Sequence, residues 1–282
     1  MQSSRPKVAV VGHVEWVRFA RVAHVPRAGE VAHAQNPFEE PAGGGAVAAV
    51  QLARLAGAAA LLTALGGDDH GRRSVARLGE LGVDVRAAFV DSPTRAAVTL
   101  VDDRGERTIT TFGPRLEPLG SDHRNLWDAF ESADAVYFTA GDEATLRAAR
   151  AASRVLVASP RAREALGHGV PLDALVLSGD DAIECGELAR AQDEAALVVF
   201  TEGARGGRYR CRDGETGTFP AAAVPGTRVD SYGCGDSFAA GFTYGLGAGL
   251  ELADALVLAA RCGAMCLTGH GPYERQLSRA DL

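Results

Sequence analysis

Apolar runs recur along the chain at Val8–Val11, Ala60–Leu65, Ala135–Phe138, Val155–Ala158, Ala174–Leu177 and Ala196–Phe200. Short runs with so few polar interruptions predict strands buried on both faces, as in a mostly parallel sheet covered by helices. The segments Ala46–Ala56, Gly71–Leu81, Glu143–Ala152, Asp181–Ala191, Asp236–Leu246 and Leu252–Leu267 instead carry helical spacing and composition. Strand and helix therefore alternate, the pattern of a doubly wound α/β domain.

Two segments break the alternation. Ala96–Val101 and Thr108–Phe112 read as strands joined by the turn-forming Asp102-Asp103-Arg104-Gly105, a hairpin signal. Trp16–Ala34 is extended in character, carries Pro26 and Gly29, and lacks a helical period. They are either surface insertions or a small sheet standing over the core as a lid.

Composition narrows the function classes. At 282 residues and 46% hydrophobic content the chain can bury one large α/β core, without an internal repeat or linker. A net charge of -7 and the lack of any basic run speak against nucleic acid as a partner. No apolar run reaches the roughly 18 residues of a membrane span, and the N-terminal residues enter the first strand without a signal-peptide pattern, so a cytoplasmic, membrane-free protein is expected. Its five cysteines show neither CxxC spacing nor a disulfide framework. Lys7 is the only lysine, and its place beside the N-terminus fits neither a Walker A loop nor a protein-kinase strand nor a Schiff base.

The strongest candidate chemistry is Val229-Asp230-Ser231-Tyr232-Gly233-Cys234-Gly235-Asp236. A strand-like segment meets a glycine-flanked turn, and a helix follows with an acid in its first turn. Unpaired amides of Gly233, Cys234 and Gly235 at a helix N-terminus would receive an anion, and Asp236 would accept the proton of an attacking hydroxyl. An ordinary capping Asp in a βα turn is the plainer alternative.

Asp230 through Asp236 resembles the DTxGAGD signature of the ribokinase/PfkB carbohydrate kinases, with Ser231 for Thr and Cys234 for Ala. Further stretches follow in the family's order. Gly43-Gly44-Gly45 with Val47 resembles its GG-x-x-x-N element, Val47 standing where a substrate-binding Asn is usual. Gly12-His13-Val14-Glu15 falls where a substrate-gripping Asp is usual, with Glu15 as the replacement. Gly66 to Gly71 and Gly82-Val83-Asp84 resemble mainly structural elements, and Thr94 to Phe112 resembles the lid hairpin. Thr201-Glu202-Gly203-Ala204-Arg205-Gly206 resembles the nucleotide loop. Ser178 to Asp181 stands at the magnesium-organising NxxE element, with Asp180 and Glu184 as other candidate acids. Ala259 to Ala264, including Cys262, lies where the family closes around adenine, and Gly269 to Pro272 where it completes a monovalent-cation loop near Asp230.

The resemblance implies a ribokinase-like α/β fold over residues 1–282, with a β lid from about 14–35 and 94–112. It implies ATP and Mg²⁺, with a monovalent cation such as K⁺, and transfer of the γ-phosphoryl group to a sugar hydroxyl with Asp236 as base and Gly233, Cys234 and Gly235 as anion hole. Thr201, Gly203, Gly206, Ser178 and Cys262 would contact nucleotide; Glu15, Gly43, Gly44, Gly45, Val47 and Asp236 substrate; Asp181 and Asp230 metal. A nucleoside kinase of the same fold and a non-catalytic sugar- or nucleoside-binding homologue stay open, as does a homodimer through the lid.

Overall fold

The computed structural model describes residues 5–121, 124–181, 184 and 189–282. In chain order the elements are β1 (Val8–Val11), β2 (Glu15–Arg21), β3 (Gln35–Ala42), α1 (Gly44–Ala56), β4 (Ala59–Gly66), α2 (Asp69–Glu80), β5 (Val83–Val90), β6 (Ala96–Val101), β7 (Arg107–Phe112), β8 (Ala133–Phe138), α3 (Glu143–Ala152) and β9 (Ser153–Ala158). They continue with β10 (Leu172–Ser178), α4 (Ala189–Glu194), β11 (Ala195–Thr201), β12 (Gly207–Cys211), β13 (Thr216–Phe219), α5 (Cys234–Gly247) and α6 (Leu252–Cys266).

These strands form a nine-stranded sheet in the order β13-β12-β11-β10-β9-β8-β1-β4-β5. It is parallel from β5 to β11 and closes with the antiparallel pair β12 and β13. Every predicted strand is present. The period of two sorts the side chains between two layers. Val8, Val10, Leu61, Tyr137, Val157 and Val176 pack beneath α1, α5 and α6, while Val11, Leu62, Phe138, Leu156, Leu175 and Phe200 pack beneath α3 and Phe130.

Local chemistry starts the helices. Asp68 caps α2 by accepting from Gly71 N at 2.8 Å and also takes Thr94 N and Oγ1, tying the start of α2 to the segment before β6. Asp142 caps α3 through Thr145 N at 2.8 Å. In the expected helix Asp181–Ala191, residues 182, 183 and 185–188 lie outside the described ones; α4 runs on to Glu194, past the expected end. No helix among the described residues is long and apolar enough to cross a membrane.

A second sheet, β3-β2-β6-β7, carries the segments that broke the alternation. The hairpin pairs Ala96 with Phe112 and Val101 with Arg107. The stretch expected to be extended over Trp16–Ala34 holds one strand, β2, which lies antiparallel to β3 and parallel to β6, and β3 begins where that stretch ends and runs to Ala42, beyond the expected limit near residue 35. The turn of the hairpin rests on the segment before α5. Ser231 N donates to Gly105 O at 3.0 Å, Arg107 Nη1 reaches Ser231 O and Oγ at 3.2 and 3.1 Å, and Arg228 pairs with Glu106.

Candidate active site

The carboxyl ends of the parallel strands bring the polar residues to one edge. β1 leads into Gly12 and His13, β8 into Thr139 and β9 into Ser159 and Arg161, while β10 and β11 end on Ser178 and Thr201. The chain winds outward from β1 through β4 and β5, then returns to β8 on its other flank, so the ligand crevice of such a sheet falls between β1 and β8.

The start of α1 closes one wall of that crevice. A Cβ on Gly45 would lie 2.7 Å from the carbonyl carbon of Gly12 and from His13 O, so only glycine lets this helix meet the end of β1, where Gly45 N donates to His13 O at 3.2 Å. Gly44 then faces a polar cluster: a Cβ there would lie 3.0 Å from Asp236 Oδ1 and Arg161 Nη1, and 3.2 Å from Thr139 Oγ1.

The opposite wall is the first turn of α5. Gly233 is its N-cap with φ 80°, a left-handed backbone that favours glycine, and Asp236 is the third helical residue. No acceptor among the described residues takes the amides of Gly233, Cys234 or Gly235, and nothing lies within 4 Å of where a Cβ of Gly235 would be. The turn therefore offers orphan N–H groups at the positive end of a helix dipole. The Cys234 side chain is directed elsewhere. Its Sγ donates to Asp230 O at 3.9 Å, and the neighbouring Cys266 thiol together with burial raises its own thiol far above the ordinary range.

Asp236 is 8% exposed, and its Oδ1 accepts from Arg161 Nη1 at 3.0 Å. The attraction of Asp236 raises the Arg161 guanidinium above its ordinary pKa. Around the pair lie buried groups with unmet polar capacity: Thr139 Oγ1 and His13 Nδ1 have no hydrogen-bond partner among the described residues, and Arg95 Nε sits 3.5 Å from Glu15 Oε2 without closing a hydrogen bond. Burial, reinforced by Arg115, Arg161 and Arg95, holds His13 well below its ordinary pKa. Burial also raises Glu15, against the opposing pull of Arg95.

Over residues 5–278 the sequence matches the model of the pfkB family of carbohydrate kinases. The chain belongs to that family. It is a phosphotransferase with an alcohol group as acceptor. A fructokinase from Klebsiella pneumoniae is 29% identical over 284 residues, covering 85% of this chain and 91% of the relative. An ATP-dependent ribose-1-phosphate kinase from Halopiger xanaduensis is 28% identical over 283 residues, covering 92% and 91%. Among solved structures, the ribokinase of Arabidopsis thaliana complexed with ribose and ATP superposes with a TM-score of 0.77 at 19% identity, covering 98% of this chain and 97% of that one.

In this pfkB-family kinase the structure brings Asp236, Gly233, Gly235, Gly43, Gly44, Gly45 and Glu15 to one crevice. Gly43 N donates to Tyr232 OH at 3.2 Å, and a Cβ there would touch His13 and Glu15 at 3.0 and 3.3 Å. Val47 is a correction: it is fully buried, 2.9 Å from where a Cβ of Gly233 would stand, so it supports the turn from below and offers no polar contact to a substrate. Cys262 is a second. It is fully buried with Leu55, Leu258 and Leu277, its sulfur against Gly241, and presents no surface to a nucleotide.

Thr201, Gly203 and Gly206 lie together at the end of β11, with Thr201 Oγ1 donating to Leu177 O at 3.3 Å. At the end of β10, Ser178 N donates to Glu184 Oε2 at 2.8 Å, Asp181 Oδ1 accepts from Glu184 N at 3.2 Å, and Asp180 pairs with Arg205. Asp230 is buried behind the turn, where its two oxygens accept from Tyr232 N at 2.8 Å and Gly271 N at 2.9 Å. It borders a cavity of about 290 Å³ lined by Phe19, Phe38 and His270. Arg161, Arg95, Arg115 and Thr139 carried no motif; proximity to the strand ends was the one signal available for Arg161 and Thr139.

Proposed function

We propose that this kinase transfers the γ-phosphoryl group of ATP to a hydroxyl of a sugar or sugar derivative, with Asp236 taking the hydroxyl proton. The new O–P bond forms as the bond to ADP breaks, and the amides of Gly233, Cys234 and Gly235 hold the charge on the migrating group. The observation that carries this reading is the turn itself: orphan amides and a carboxylate side by side, facing Gly44 and Thr139. Relatives named for fructose and for ribose 1-phosphate support a sugar as acceptor.

ATP would lie along the ends of β10 and β11 beside Thr201, Gly203, Gly206 and Ser178, its terminal phosphate toward α5. The carboxylates of Asp181 and Glu184 at that edge are hard oxygen donors of the kind Mg²⁺ takes, one or two at a time, together with phosphates and water. When bound, the ion would neutralise phosphate charge. Among the described residues each oxygen of Asp230 accepts one amide, which would leave lone pairs for a monovalent cation. The second sheet would cover the sugar and exclude water. Its edge strand β7 is exposed throughout, with Ile109 and Phe112 outward, and suits pairing with a second copy in a homodimer.

An ADP-release assay with Mg-ATP across pentoses, hexoses and nucleosides tests the reading. Sugar-dependent ADP formation is expected; a folded protein that binds these compounds but releases no ADP above background would contradict it.

A further inference from the structure

Thr139 carries a hydroxyl that the fold leaves unused. The residue follows β8 directly and is fully buried, yet its Oγ1 has no hydrogen-bond partner among the described residues. Thr145 and Thr243 are buried to the same degree, and their hydroxyls donate to Pro118 O at 3.2 Å and to Ala239 O at 2.8 Å. Thr99, on β6 of the second sheet, is also without a partner among the described residues. A hydroxyl taken from water and given nothing in return destabilises the folded chain.

The Thr139 side chain cannot relieve this by turning. Its backbone is fixed, because Thr139 N donates to Val11 O at 2.8 Å and so extends the pairing of β8 with β1. Its methyl group is fixed as well: a Cβ on Gly12 would lie 2.5 Å from Thr139 Cγ2, so that methyl fills the space Gly12 leaves. With one branch of a stiff side chain seated there, the hydroxyl is aimed the other way. That way leads to the proposed base. The point where a Cβ of Gly44 would stand lies 3.2 Å from Thr139 Oγ1 and 3.0 Å from both Asp236 Oδ1 and Arg161 Nη1. Asp236 and Arg161 satisfy each other at 3.0 Å and leave the threonine out. Of the three, the Arg161 side chain is the movable one, 40% exposed against 11% for that of Asp236. An oxygen that replaces the guanidinium at Asp236 Oδ1 comes to the hydroxyl of Thr139.

Resting on the phosphotransfer reading above, we propose that Thr139 is a specificity-determining residue whose hydroxyl is kept unpaired for the acceptor: it hydrogen bonds a second hydroxyl of the sugar, beside the one that Asp236 deprotonates. A site built to pair a substrate hydroxyl discriminates against the analogue that lacks it.

The test joins thermal melts to ADP release by the full chain, using the sugar of highest kcat/KM among the pentoses and hexoses and its mono-deoxy analogues. Thr139→Val keeps the shape and removes the unpaired hydroxyl, so Tm should stay level or rise by roughly 2–4 °C. Tyr232→Phe is the control: its hydroxyl accepts from Gly43 N, and its removal should lower Tm. On the parent sugar Thr139→Val should lose on the order of 10-fold in kcat/KM, and wild type should lose as much on one deoxy analogue. On that analogue the two proteins should agree, the signature of a direct pair in a double-mutant cycle. Thr139→Ser, which retains the hydroxyl, should follow wild type on both sugars. A Thr139→Val protein that melts lower or fails to fold, that keeps full activity on the parent, or that loses equally on the parent and every analogue overturns the proposal and leaves the kinase reading standing. No ADP release by folded wild type on any sugar sinks both.

Discussion

Gly44 and Gly45 are neighbours in sequence, yet alanine should damage the protein in opposite ways at the two. Neither has a left-handed backbone, so steric contact decides the outcome. At Gly44 the new methyl would meet Asp236 Oδ1 and Arg161 Nη1 at 3.0 Å and Thr139 Oγ1 at 3.2 Å, all side-chain atoms, against 3.4 Å for ordinary contact. Those ends can give by a few tenths of an ångström, so stability should change by less than about 1 kcal/mol, as for a tolerated small insertion. Asp236, the proposed base, and Arg161 are what move. A misplaced catalytic group can cost up to about 10²-fold per ångström, so kcat/KM should fall by roughly 10-fold. At Gly45 the methyl would meet backbone of Gly12 and His13 at 2.7 Å, which no rotamer change relieves. Overpacking of that kind costs about 1–3 kcal/mol. For a chain of this size each kcal/mol lowers Tm by roughly 2–4 °C. Thermal melts and steady-state kinetics on both variants separate the effects. Full activity in Gly44→Ala, or an unchanged Tm in Gly45→Ala, would refute the crevice described here.

Two further outcomes are expected. Because burial holds His13 below its ordinary pKa, the unfolded chain takes up its proton first as pH falls; the neutral folded form is fully favoured above about pH 6.5, and roughly 1 kcal/mol of stability should disappear between pH 6.5 and 5.5. His13→Gln should flatten that part of a Tm-against-pH curve, and an unaltered slope would show that His13 is not the group responsible. Arg107→Met removes the contacts of the hairpin to Ser231 O and Oγ, so hydrogen exchange at residues 229–235 should quicken and kcat/KM should drop several-fold, as expected for one or two lost hydrogen bonds worth about 1 kcal/mol each. Unchanged exchange would mean that the small sheet does not brace the turn.

The parallel sheet was legible because strands such as Val8–Val11 and Ala135–Phe138 are apolar on both sides, and the helices between them begin at recognisable caps such as Asp142. β5 was harder: its outward Asp84 and Arg86 pair with each other at the sheet edge and break the apolar run. β3 contains Pro37 and Pro41, which argue locally against a strand, and is held in place by pairing with β2. The turn that opens α5 announced itself because its glycines and acid are contiguous. Arg161 and Thr139 did not, because each follows its own strand, and only the adjacency of β8 and β9 carries them to Asp236. Cys262 and Val47 were misassigned for the converse reason: proximity to a motif in sequence says nothing of which way a helical side chain turns, and both turn into the core.

The most direct test is single-turnover phosphoryl transfer by Asp236→Asn with Mg-ATP and the best sugar from the panel. Asparagine retains an oxygen for Arg161 but cannot take a proton, so the wild-type melting temperature should persist while the transfer rate drops by on the order of 10²-fold or more. Transfer at close to the wild-type rate in a folded Asp236→Asn protein would contradict the assignment of this carboxylate as the base.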